Sequence, residues 1–379
     1  MKEIPFNKPF FCGAETDYIR DAVQRGQISG NGYYTKKCHS FLEEKYGFEK
    51  CYLTHSGTDA LEMAAILIGI EPGDEVIMPS FTFVSTANAF VLRGANIVFT
   101  DSRADHPGMD EASIEELITE RTRAIVPVHY AGVACNMELI MEIAARHNLY
   151  VVEDAAHAID SYFTFSDGTR KPLGSIGHAG AFSFHETKNI ISGEGGMLTV
   201  NDKSLLNRSE IIWEKGTDRS AFFRGEVDKY GWKDLGSSFL PSEIIAAFLW
   251  AQLENIEKIQ EKRVEIWTRY YSRLREWAAK RNVALPVIPP YSENNAHLFY
   301  MVMEDKASRE RHINTLRDRG ILSIFHYQSL HASSFYRKKH DGRELPMSDR
   351  YSNCLVRLPF YYELTNNDLV SITDAVMQQ

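Results

Sequence analysis

The chain has 379 residues, of which 44% are hydrophobic and 25% charged, a composition that excludes a disordered or fibrous protein. At about 150 residues per domain, its length favours two domains. Its 42 Lys and Arg residues against 51 Asp and Glu residues give a net charge of −9, and no basic block is present that could neutralise nucleic-acid phosphates. The charge argues against a nucleic-acid partner but not against an anionic small molecule, because a local site can be positive inside a negative envelope.

Membrane insertion and secretion are not predicted either. The longest apolar stretches, Ala64–Ile70 and Ile244–Leu253, are far shorter than the roughly 20 residues that a membrane-spanning helix needs. The N-terminal segment carries a proline and charges where a signal peptide has its apolar core. The five cysteines are scattered without a CxxC pair, a pattern that fits a reducing cytoplasm and offers no framework for a metal. We therefore expect a cytoplasmic protein without a metal site.

Strand and helix patterns alternate between residues 52 and 200. Apolar, β-branched runs predict strands at Glu75–Met78, Asn96–Thr100, Ala124–Val128 and Leu149–Asp154. Helices are predicted at Leu61–Ile70, Ser80–Arg93 and Met137–His147. Buried strands separated by helices predict a mainly parallel sheet covered on both faces, with functional residues at the carboxyl ends of its strands.

The pattern changes after residue 200. One long helix is predicted at Ser242–Arg281, where apolar residues recur with a period close to that of a helix. Beyond it the sequence predicts a strand at Leu298–Met303 and a charged helix at Ala307–Arg319. A second strand is predicted at Leu322–Phe325 and a terminal helix at Asn366–Met377. We therefore predict a large α/β domain over residues 1–250 and a smaller α+β domain over residues 251–379.

Two loops at predicted strand–helix junctions contain candidates for binding a phosphate group and a flat ring. Gly57 allows close approach of the backbone, and Thr58 offers a hydroxyl and an N–H at a helix start, which together suit a phosphate. The same residues are also compatible with an ordinary helix cap. In the second loop Phe83 could stack on a planar ring, although a phenylalanine in such a place is often part of the core.

Two further loops contain an aspartate and a lysine with candidate catalytic roles. Asp154 follows a strongly apolar strand, where a carboxylate is costly to bury unless it meets a cation or a donor such as a protonated pyridine nitrogen. Its alternative role is that of a helix N-cap. Lys188 lies in a polar loop near glycines, and a desolvated lysine becomes a nucleophile that can form a Schiff base. The alternative is a solvated loop lysine.

The order of these residues favours one cofactor. Pyridoxal phosphate needs an anion site, a platform for its ring, a partner for its pyridine nitrogen and an amine that captures its aldehyde. The chain offers them in turn at Gly57-Thr58, Phe83, Asp154 and, after Ser183, Lys188. No GxGxxG motif follows the first strand, which argues against a dinucleotide-dependent oxidoreductase.

A family signature is carried by motifs that lie in this order along the chain: Ser56-Gly57-Thr58, Phe83, Glu153-Asp154-Ala155-Ala156-His157, Ser183, Thr187-Lys188-Asn189 and Gly193-Glu194-Gly195-Gly196. In order and spacing they resemble the sugar aminotransferases of the DegT/DnrJ/EryC1 family, which act on nucleotide-linked keto sugars. The resemblance covers essentially the whole chain. It implies an α/β fold with a fold-type I, aspartate aminotransferase-like large domain that binds pyridoxal 5'-phosphate, and a smaller α+β C-terminal domain.

The resemblance also implies a role for individual residues. Lys188 would form the Schiff base with the cofactor and later move protons, and Asp154 would pair with the pyridine nitrogen. On the same chain, Phe83 and Ala156 would enclose the cofactor ring, and His157 would lie beside the ring hydroxyl. The phosphate would be bound by Gly57, Thr58 and Ser183.

A partner subunit completes the site in many members of this family. There an asparagine from the partner reaches the phosphate and is followed two positions later by an arginine; here these positions are Ser238 and Leu240. Ser238 can still donate one hydrogen bond, whereas Leu240 cannot contact an anion by charge. The resemblance thus implies a homodimer with active sites at the subunit interface and with Ser238 as a cofactor contact.

The substrates are implied by a subgroup of the family. Phe182–Asn189, Phe222–Tyr230 and Asp234–Leu240 are similar to enzymes that convert dTDP-4-keto-6-deoxy-D-glucose, with glutamate as amino donor, into dTDP-4-amino-4,6-dideoxy-D-galactose. Such sugars occur in lipopolysaccharide O-antigen and enterobacterial common antigen. The alternatives are an enzyme that makes the gluco epimer or a 3-amino sugar, and a non-catalytic nucleotide-sugar-binding regulator. Substrate contacts are expected from four residues, for which turn and core roles are the alternative: Tyr33, His185, His326 and Tyr327.

Overall fold

The structure is a computed structural model that describes residues 3–378. Within these residues the strands, numbered in chain order, are β1 Lys50–Thr54, β2 Glu75–Pro79, β3 Asn96–Thr100, β4 Thr122–Ile125, β5 Tyr150–Asp154, β6 Tyr162–Thr164, β7 Arg170–Pro172, β8 Ala179–Ser183, β9 Gly196–Val200, β10 Ser292–Glu293, β11 Tyr300–Val302 and β12 Leu355–Arg357.

The α-helices of the same residues are α1 Glu15–Gln24, α2 Tyr33–Tyr46, α3 Gly57–Leu67, α4 Val84–Val91, α5 Met137–His147, α6 Leu206–Trp213, α7 Arg219–Phe223, α8 Glu243–Leu253, α9 Ile256–Lys280, α10 Lys306–Asp318, α11 Pro346–Cys354 and α12 Asn366–Met377. Short 3-10 helices lie at Glu111–Ser113, Glu115–Leu117, Tyr130–Gly132, Lys203–Leu205 and Leu330–Ala332. Across residues 3–378, no helix combines the length and the apolar character that a membrane span requires.

Seven strands form the central sheet, in the order β1-β9-β8-β5-β4-β2-β3. β9 runs antiparallel to both of its neighbours, and the other pairs in the sheet are parallel. The carboxyl ends of β1, β2, β5 and β8 therefore open at one edge of the sheet. This confirms the predicted α/β fold with a mainly parallel sheet, and it brings the four loops identified in the sequence to the same side.

Helices cover both faces of this sheet. Neighbouring residues of a strand point to opposite faces, so that Ile77 and Val151 pack in one apolar cluster while Val76 and Val152 pack in another. Residues of α2, α5 and α8 contribute to the first cluster, and residues of α3, α4 and α6 to the second. All four strand residues are fully buried, which explains why the strands are continuous apolar runs rather than alternating ones.

A third apolar cluster lies in the C-terminal part of the chain. It is built on Ile266, Tyr270 and Leu274 of α9, together with residues of β11, β12, α10 and α12. The N-terminal segment joins it, because Ile4 is buried in this cluster and its N–H donates to the Gly320 carbonyl. The small sheet of β11 and β12 with its surrounding helices has the α+β character expected here. The division at residue 250 stays a prediction.

The long helix predicted at Ser242–Arg281 is wrong, because the chain forms two helices there. α8 ends at Leu253 and α9 begins at Ile256. Between them the Asn255 backbone leaves helical geometry, and its side chain donates a 2.9 Å hydrogen bond to the Ala251 carbonyl. An asparagine that bonds its own backbone in this way competes with helical continuation. By contrast, α5 and α12 have the predicted bounds.

Two predicted elements near the functional edge of the sheet also differ. The helix predicted at Ser80–Arg93 begins only at Val84, since Phe83 before it has an extended backbone with ψ of 148°. The strand predicted at Leu322–Phe325 does not form, and Ile324 instead makes an isolated bridge to Arg357. Both segments border the cavity described below, where irregular backbone replaces regular structure.

Candidate active site

A cavity of about 840 Å³ opens where β1, β2, β5 and β8 end. Its other wall comes from the C-terminal part of the chain. The sequence-predicted site residues that line it are Gly57, Thr58, Phe83, Asp154, Ala156, His157, Ser183, His185, Lys188, His326 and Tyr327. Tyr33 and Ser238 are the predicted site residues that the lining does not include.

The first turn of α3 forms one wall of the cavity. Ser56 caps the helix by accepting a 3.0 Å hydrogen bond from the Asp59 N–H, and neither the Gly57 nor the Thr58 N–H donates to another described residue. The Thr58 hydroxyl lies 2.7 Å from the Ser85 hydroxyl. Free amides with hydroxyls beside them at a helix start, where the helix dipole is positive, suit an anion such as a phosphate.

Gly57 is required by the contact between α3 and β8. A Cβ at this position would lie 2.9 Å from the Ser183 Cβ and 3.1 Å from the Phe182 carbonyl oxygen, closer than Cβ atoms normally approach. The sequence predicted close approach of a ligand at Gly57, and the structure shows that protein atoms also approach it. The missing side chain places Ser183 next to the first turn of α3.

Asp154 is a buried carboxylate, 5% exposed, at the carboxyl end of β5. Its Oδ2 accepts a 2.7 Å hydrogen bond from the Thr86 hydroxyl, and its Oδ1 accepts a 3.1 Å bond from the Ala156 N–H. Burial raises the pKa of the Asp154 carboxyl, although both hydrogen bonds and the Lys188 charge oppose that rise. A carboxylate held in this way is prepared for a cationic N–H partner in the cavity.

Lys188 follows β8, and its backbone N–H donates to the His185 carbonyl. Burial lowers the pKa of its amine to about 8; the Asp154 carboxylate opposes this effect and the Arg357 charge adds to it. A substantial fraction of the amine is therefore neutral near pH 8, as a nucleophile or a proton acceptor requires.

His157 is a neutral histidine in the cavity wall. It stacks on His297, with ring centroids 4.1 Å apart. Burial lowers the pKa of its imidazole well below the ordinary range, and the Lys188 charge adds to this effect. The His157 Nδ1 accepts a 3.3 Å hydrogen bond from the Ala131 N–H, which leaves the ring proton on Nε2, 3.3 Å from the Tyr327 hydroxyl. His157 therefore presents an N–H donor beside Tyr327.

Aromatic side chains make up another part of the wall. Phe83 is 52% exposed and its ring centroid lies 5.8 Å from that of Tyr327, so that much of the Phe83 ring is free to stack on a ligand. His326 stacks on Tyr327 with centroids 3.7 Å apart. His185 is partly exposed, and its Nε2 lies 3.7 Å from a Glu194 oxygen.

Tyr33 and Ser238 lie on the surface of the chain, outside the lining of the cavity. Tyr33 is 45% exposed at the start of α2, with the Arg25 guanidinium 3.7 Å from its ring centroid. Ser238 is exposed in a segment that bridges to Glu214. Their predicted contacts with substrate (Tyr33) and cofactor (Ser238, from a partner subunit) stay predictions.

Several polar residues of the cavity lining were not among the predicted site residues, including Thr86, His297 and Arg357. The available sequence signal for Thr86 was its spacing of four positions from Thr82 within the predicted helix Ser80–Arg93. Arg357 is a single charge in the apolar run 355–360, which is unusual for a buried strand. Nothing in the local pattern distinguished His297.

These groups fit pyridoxal phosphate. Asp154 is a buried acceptor suited to a pyridine N–H, Lys188 is an amine of lowered pKa suited to an aldehyde, and Phe83 presents a ring face. The free amides of the α3 start suit a phosphate. Desolvation raises the pKa of the Asp154 carboxyl and lowers that of the Lys188 amine, so each shift favours the neutral form, as is common for groups in a functional site.

Comparisons with known proteins agree with this fit. Residues 12–377 match the DegT/DnrJ/EryC1/StrS aminotransferase family. Over 382 residues the chain is 30% identical to the spore coat polysaccharide biosynthesis protein SpsC of Bacillus subtilis (strain 168), an alignment that covers 98% of this chain and 96% of that protein.

Solved structures are similar along the whole chain. DesV from S. venezuelae, in complex with a ketimine intermediate, is 28% identical with a TM-score of 0.89, and the match covers 100% of this chain and 98% of that one. Spr1654 from Streptococcus pneumoniae, in its PMP form, is 25% identical with a TM-score of 0.89 and coverage of 100% and 97%. Enzymes of the matched family use pyridoxal phosphate, which confirms the predicted cofactor.

Proposed function

Because the chain belongs to the DegT/DnrJ/EryC1/StrS aminotransferase family, it is a pyridoxal phosphate-dependent sugar aminotransferase, and we propose that it aminates dTDP-4-keto-6-deoxy-D-glucose to dTDP-4-amino-4,6-dideoxy-D-galactose with glutamate as amino donor. The observation that carries the aminotransferase activity is the presence of Asp154 and Lys188 in one cavity with opposite pKa shifts. The choice of sugar is supported by the resemblance of Phe182–Asn189, Phe222–Tyr230 and Asp234–Leu240 to the subgroup that forms this product.

Different side chains of the cavity have different proposed roles in the reaction. The bound cofactor supplies an electron-accepting ring that stabilises negative charge on the carbon that loses or gains a proton. Asp154 would hold the proton on the pyridine nitrogen. The Lys188 amine would move a proton between the donor α-carbon, the cofactor carbon and C4 of the sugar, and its position relative to the sugar ring would decide the configuration of the new amine.

A homodimer is part of the proposal, with Tyr33 and Ser238 of one subunit reaching the cavity of the other. Both side chains are exposed on the single chain. Large apolar side chains are exposed in the same region as Ser238, among them Phe223 at 70% and Trp232 at 83%, and an interface would cover them. A cytoplasmic location is also proposed, since all five cysteines are free thiols.

Incubation of the purified enzyme with dTDP-4-keto-6-deoxyglucose and L-glutamate tests the proposal. We expect one amino sugar whose ring-proton couplings in the NMR spectrum identify an amine at C4 and the galacto configuration. Gluco couplings, or an amine at C3, would overturn the proposed product in favour of the related aminotransferases. Binding of the nucleotide sugar without any amination would favour the regulator instead. The control is Lys188→Ala, for which no product is expected.

A further inference from the structure

A second pocket, of about 640 Å³, lies between α10, α11 and the segment 325–333. Phe325 is the one described residue that lines both this α10–α11 pocket and the active-site cavity. The next two residues, His326 and Tyr327, line the active-site cavity, whereas Gln328 and Ser329 line the α10–α11 pocket. The segment 325–329 is therefore a wall shared by two separate cavities, and the proposed reaction uses only one of them.

Arg309 of α10 lies in the inner part of the α10–α11 pocket. Its side chain is 10% exposed, and its Nε is buried without a hydrogen-bond partner among residues 3–378. Its Nη2 is 3.7 Å from Oε1 of Glu310, which is too far for a hydrogen bond, and the Glu310 side chain is 56% exposed. Water screens so exposed a pair, so the Arg309 guanidinium is desolvated without an acceptor that satisfies it.

Arg263 shows how this chain satisfies another buried arginine. It is 5% exposed, and its guanidinium donates to the Ala296 and His297 carbonyls. Within residues 3–378 no carbonyl has this role for Arg309. Desolvating a charge without such partners destabilises a protein, so we look for the missing acceptor in the pocket that Arg309 lines.

Ser329 contributes a second buried donor without a partner. It is 3% exposed, and its hydroxyl makes no hydrogen bond within the described part of the chain. The Ser329 N–H donates a 3.3 Å hydrogen bond to the hydroxyl oxygen of Ser352, which leaves the Ser352 hydroxyl proton available. Buried polar groups are normally hydrogen-bonded, and two unsatisfied ones in the same pocket indicate a ligand that accepts from both.

The charge of the lining favours an anion. Lys306 and Arg317 are exposed and line the pocket together with two carboxylates, Glu310 and Asp349. These four charges balance, so the buried Arg309 leaves the lining with one net positive charge in a chain of net charge −9. A local positive site inside a negative envelope attracts anions.

We propose that the α10–α11 pocket binds the phosphate group of a small organic phosphate ester, at a site separate from the active-site cavity. A phosphate monoester carries nearly two negative charges and three terminal oxygens that accept hydrogen bonds. The donors available are the Arg309 Nε and the hydroxyls of Ser329 and Ser352. A carboxylate, with two oxygens, matches these three donors less well.

The size of the pocket favours an ester over a bare ion. Its volume of about 640 Å³ lies within the range of roughly 300–1,000 Å³ that is typical of sites for small organic ligands. The organic part of the ester would occupy the space that the phosphate leaves. The inference goes beyond the proposed function, and it does not depend on which sugar or amino donor the enzyme uses.

The test is the binding of inorganic phosphate and of glucose 1-phosphate to the enzyme saturated with pyridoxal phosphate, measured by isothermal titration calorimetry. Saturation with the cofactor occupies the phosphate site at the start of α3 in advance. For Arg309→Gln we expect the Kd of both probes to rise about 10- to 100-fold, and for Ser329→Ala about 3- to 10-fold. The ester should bind more tightly than inorganic phosphate, because it also fills the rest of the pocket.

Arg311→Gln is the matched control. Arg311 lies on the same helix and is exposed, and it donates to the Ser308 hydroxyl outside the pocket. This variant loses the same charge as Arg309→Gln and should bind both probes like the wild type. Ser329→Ala removes a single oxygen atom, so it retains the test if Arg309→Gln does not fold.

A second titration distinguishes a separate site from an extension of the active-site cavity. The enzyme is first saturated with dTDP, the nucleotide of the proposed substrate, and then titrated with glucose 1-phosphate. We expect the ester to bind as it does without dTDP, and Arg309→Gln to bind dTDP like the wild type. If dTDP itself does not bind, the proposed substrate is contradicted, whereas the comparison of the variants with the two phosphate probes is unaffected.

Four results would overturn the inference. The first is that neither probe binds to the wild type, and the second is that both bind equally well to the wild type, Arg309→Gln and Ser329→Ala. The third is binding of inorganic phosphate without binding of the ester, which would make the pocket an ion site only. The fourth is competition between dTDP and the ester, with both weakened in Arg309→Gln, which would make the pocket part of the nucleotide-sugar site.

Discussion

The Thr86 hydroxyl donates a 2.7 Å hydrogen bond to Oδ2 of Asp154, from the first turn of α4 to the end of β5. Since Thr86 donates to Asp154, it accepts the 2.8 Å bond that joins it to the Thr82 hydroxyl. A short relay of hydroxyls thus orients the carboxylate from the side of α4, while the Ala156 N–H holds its other oxygen. The carboxylate proposed as the partner of the pyridine nitrogen is thus held in place by the protein alone.

Thr86→Val should weaken cofactor binding about tenfold, the effect of losing one hydrogen bond to a charged group. The hydroxyl favours the ionised carboxyl, so its loss raises the pKa of Asp154 further and leaves less carboxylate to pair with the pyridine nitrogen. The measurement is the dissociation constant of pyridoxal phosphate, from titration of the apo-protein. Thr82→Val, which removes only the outer hydroxyl of the relay, is the control and should have a smaller effect. Equal affinity in Thr86→Val and the wild type would show that the relay does not position Asp154.

The capture of cofactor by the apo-protein should depend on pH through Lys188. Its pKa of about 8 lies below that of an ordinary lysine, and only the neutral amine attacks an aldehyde. The rate of capture should therefore rise as the pH is raised through about 8 and level off above it. Stopped-flow absorbance measures this rate. Arg357→Gln removes a charge that lowers the Lys188 pKa and should move the midpoint upward; a midpoint near that of free lysine in the wild type would contradict the assignment.

Lys188→Ala should abolish amination while the protein still binds cofactor without a covalent bond. The phosphate and ring contacts do not involve the lysine amine, whereas proton movement at the reacting carbon does. Product formation and cofactor content are measured on the same preparation. Residual turnover well above background would mean that another base moves the proton.

Asp154→Asn should lower kcat about 100-fold or more, since it removes a buried charge from its partner on the cofactor. Ser238→Ala removes at most one hydrogen bond to the phosphate and should change kcat less than about tenfold. Steady-state assays at saturating cofactor compare the two variants. The opposite order would show that Asp154 is not the partner of the pyridine nitrogen.

Gly57→Ala should lower both stability and cofactor affinity. The new Cβ would lie 2.9 Å from the Ser183 Cβ, and relieving such a contact by separating α3 from β8 costs about 1–3 kcal/mol. Thermal denaturation of the apo-protein measures the first effect and cofactor titration the second. Gly231→Ala is a suitable control, because nothing lies within 4 Å of a Cβ at that position. An unchanged melting temperature in Gly57→Ala would mean that the contact adjusts without cost.

The sequence was most informative where a few consecutive residues decide the structure. The bounds predicted for α5 agree with the structure, where Asn136 caps its start by accepting from the Leu139 N–H and Asn148 ends it in the left-handed conformation. The apolar strands of the large sheet likewise follow from local pattern. Because parallel strands end at one edge, the same pattern brought Asp154 and Lys188 to one cavity with Gly57 and Phe83.

Contacts between residues far apart in the sequence could not be predicted from the local sequence pattern. Thr86 and Asp154 are 68 positions apart, and the sequence alone does not show which hydroxyl reaches the carboxylate. The break at Asn255 depends on a single side-chain bond to Ala251 within an otherwise helical pattern. Tyr33 and Ser238 were assigned to the site by resemblance to the family, and neither lines the cavity of its own chain.

The sequence by itself determined the fold class, the cofactor and the family of this protein, because each depends on motifs of a few residues whose order and spacing are preserved in the linear chain. The tertiary structure alone decided which side chains orient Asp154, why a side chain at Gly57 would crowd Ser183, and that Arg357 lines the cavity without a counter-ion among residues 3–378. These properties arise from burial and from packing between elements far apart in the sequence, and only folding brings such groups within hydrogen-bonding distance and removes the water that would otherwise satisfy them.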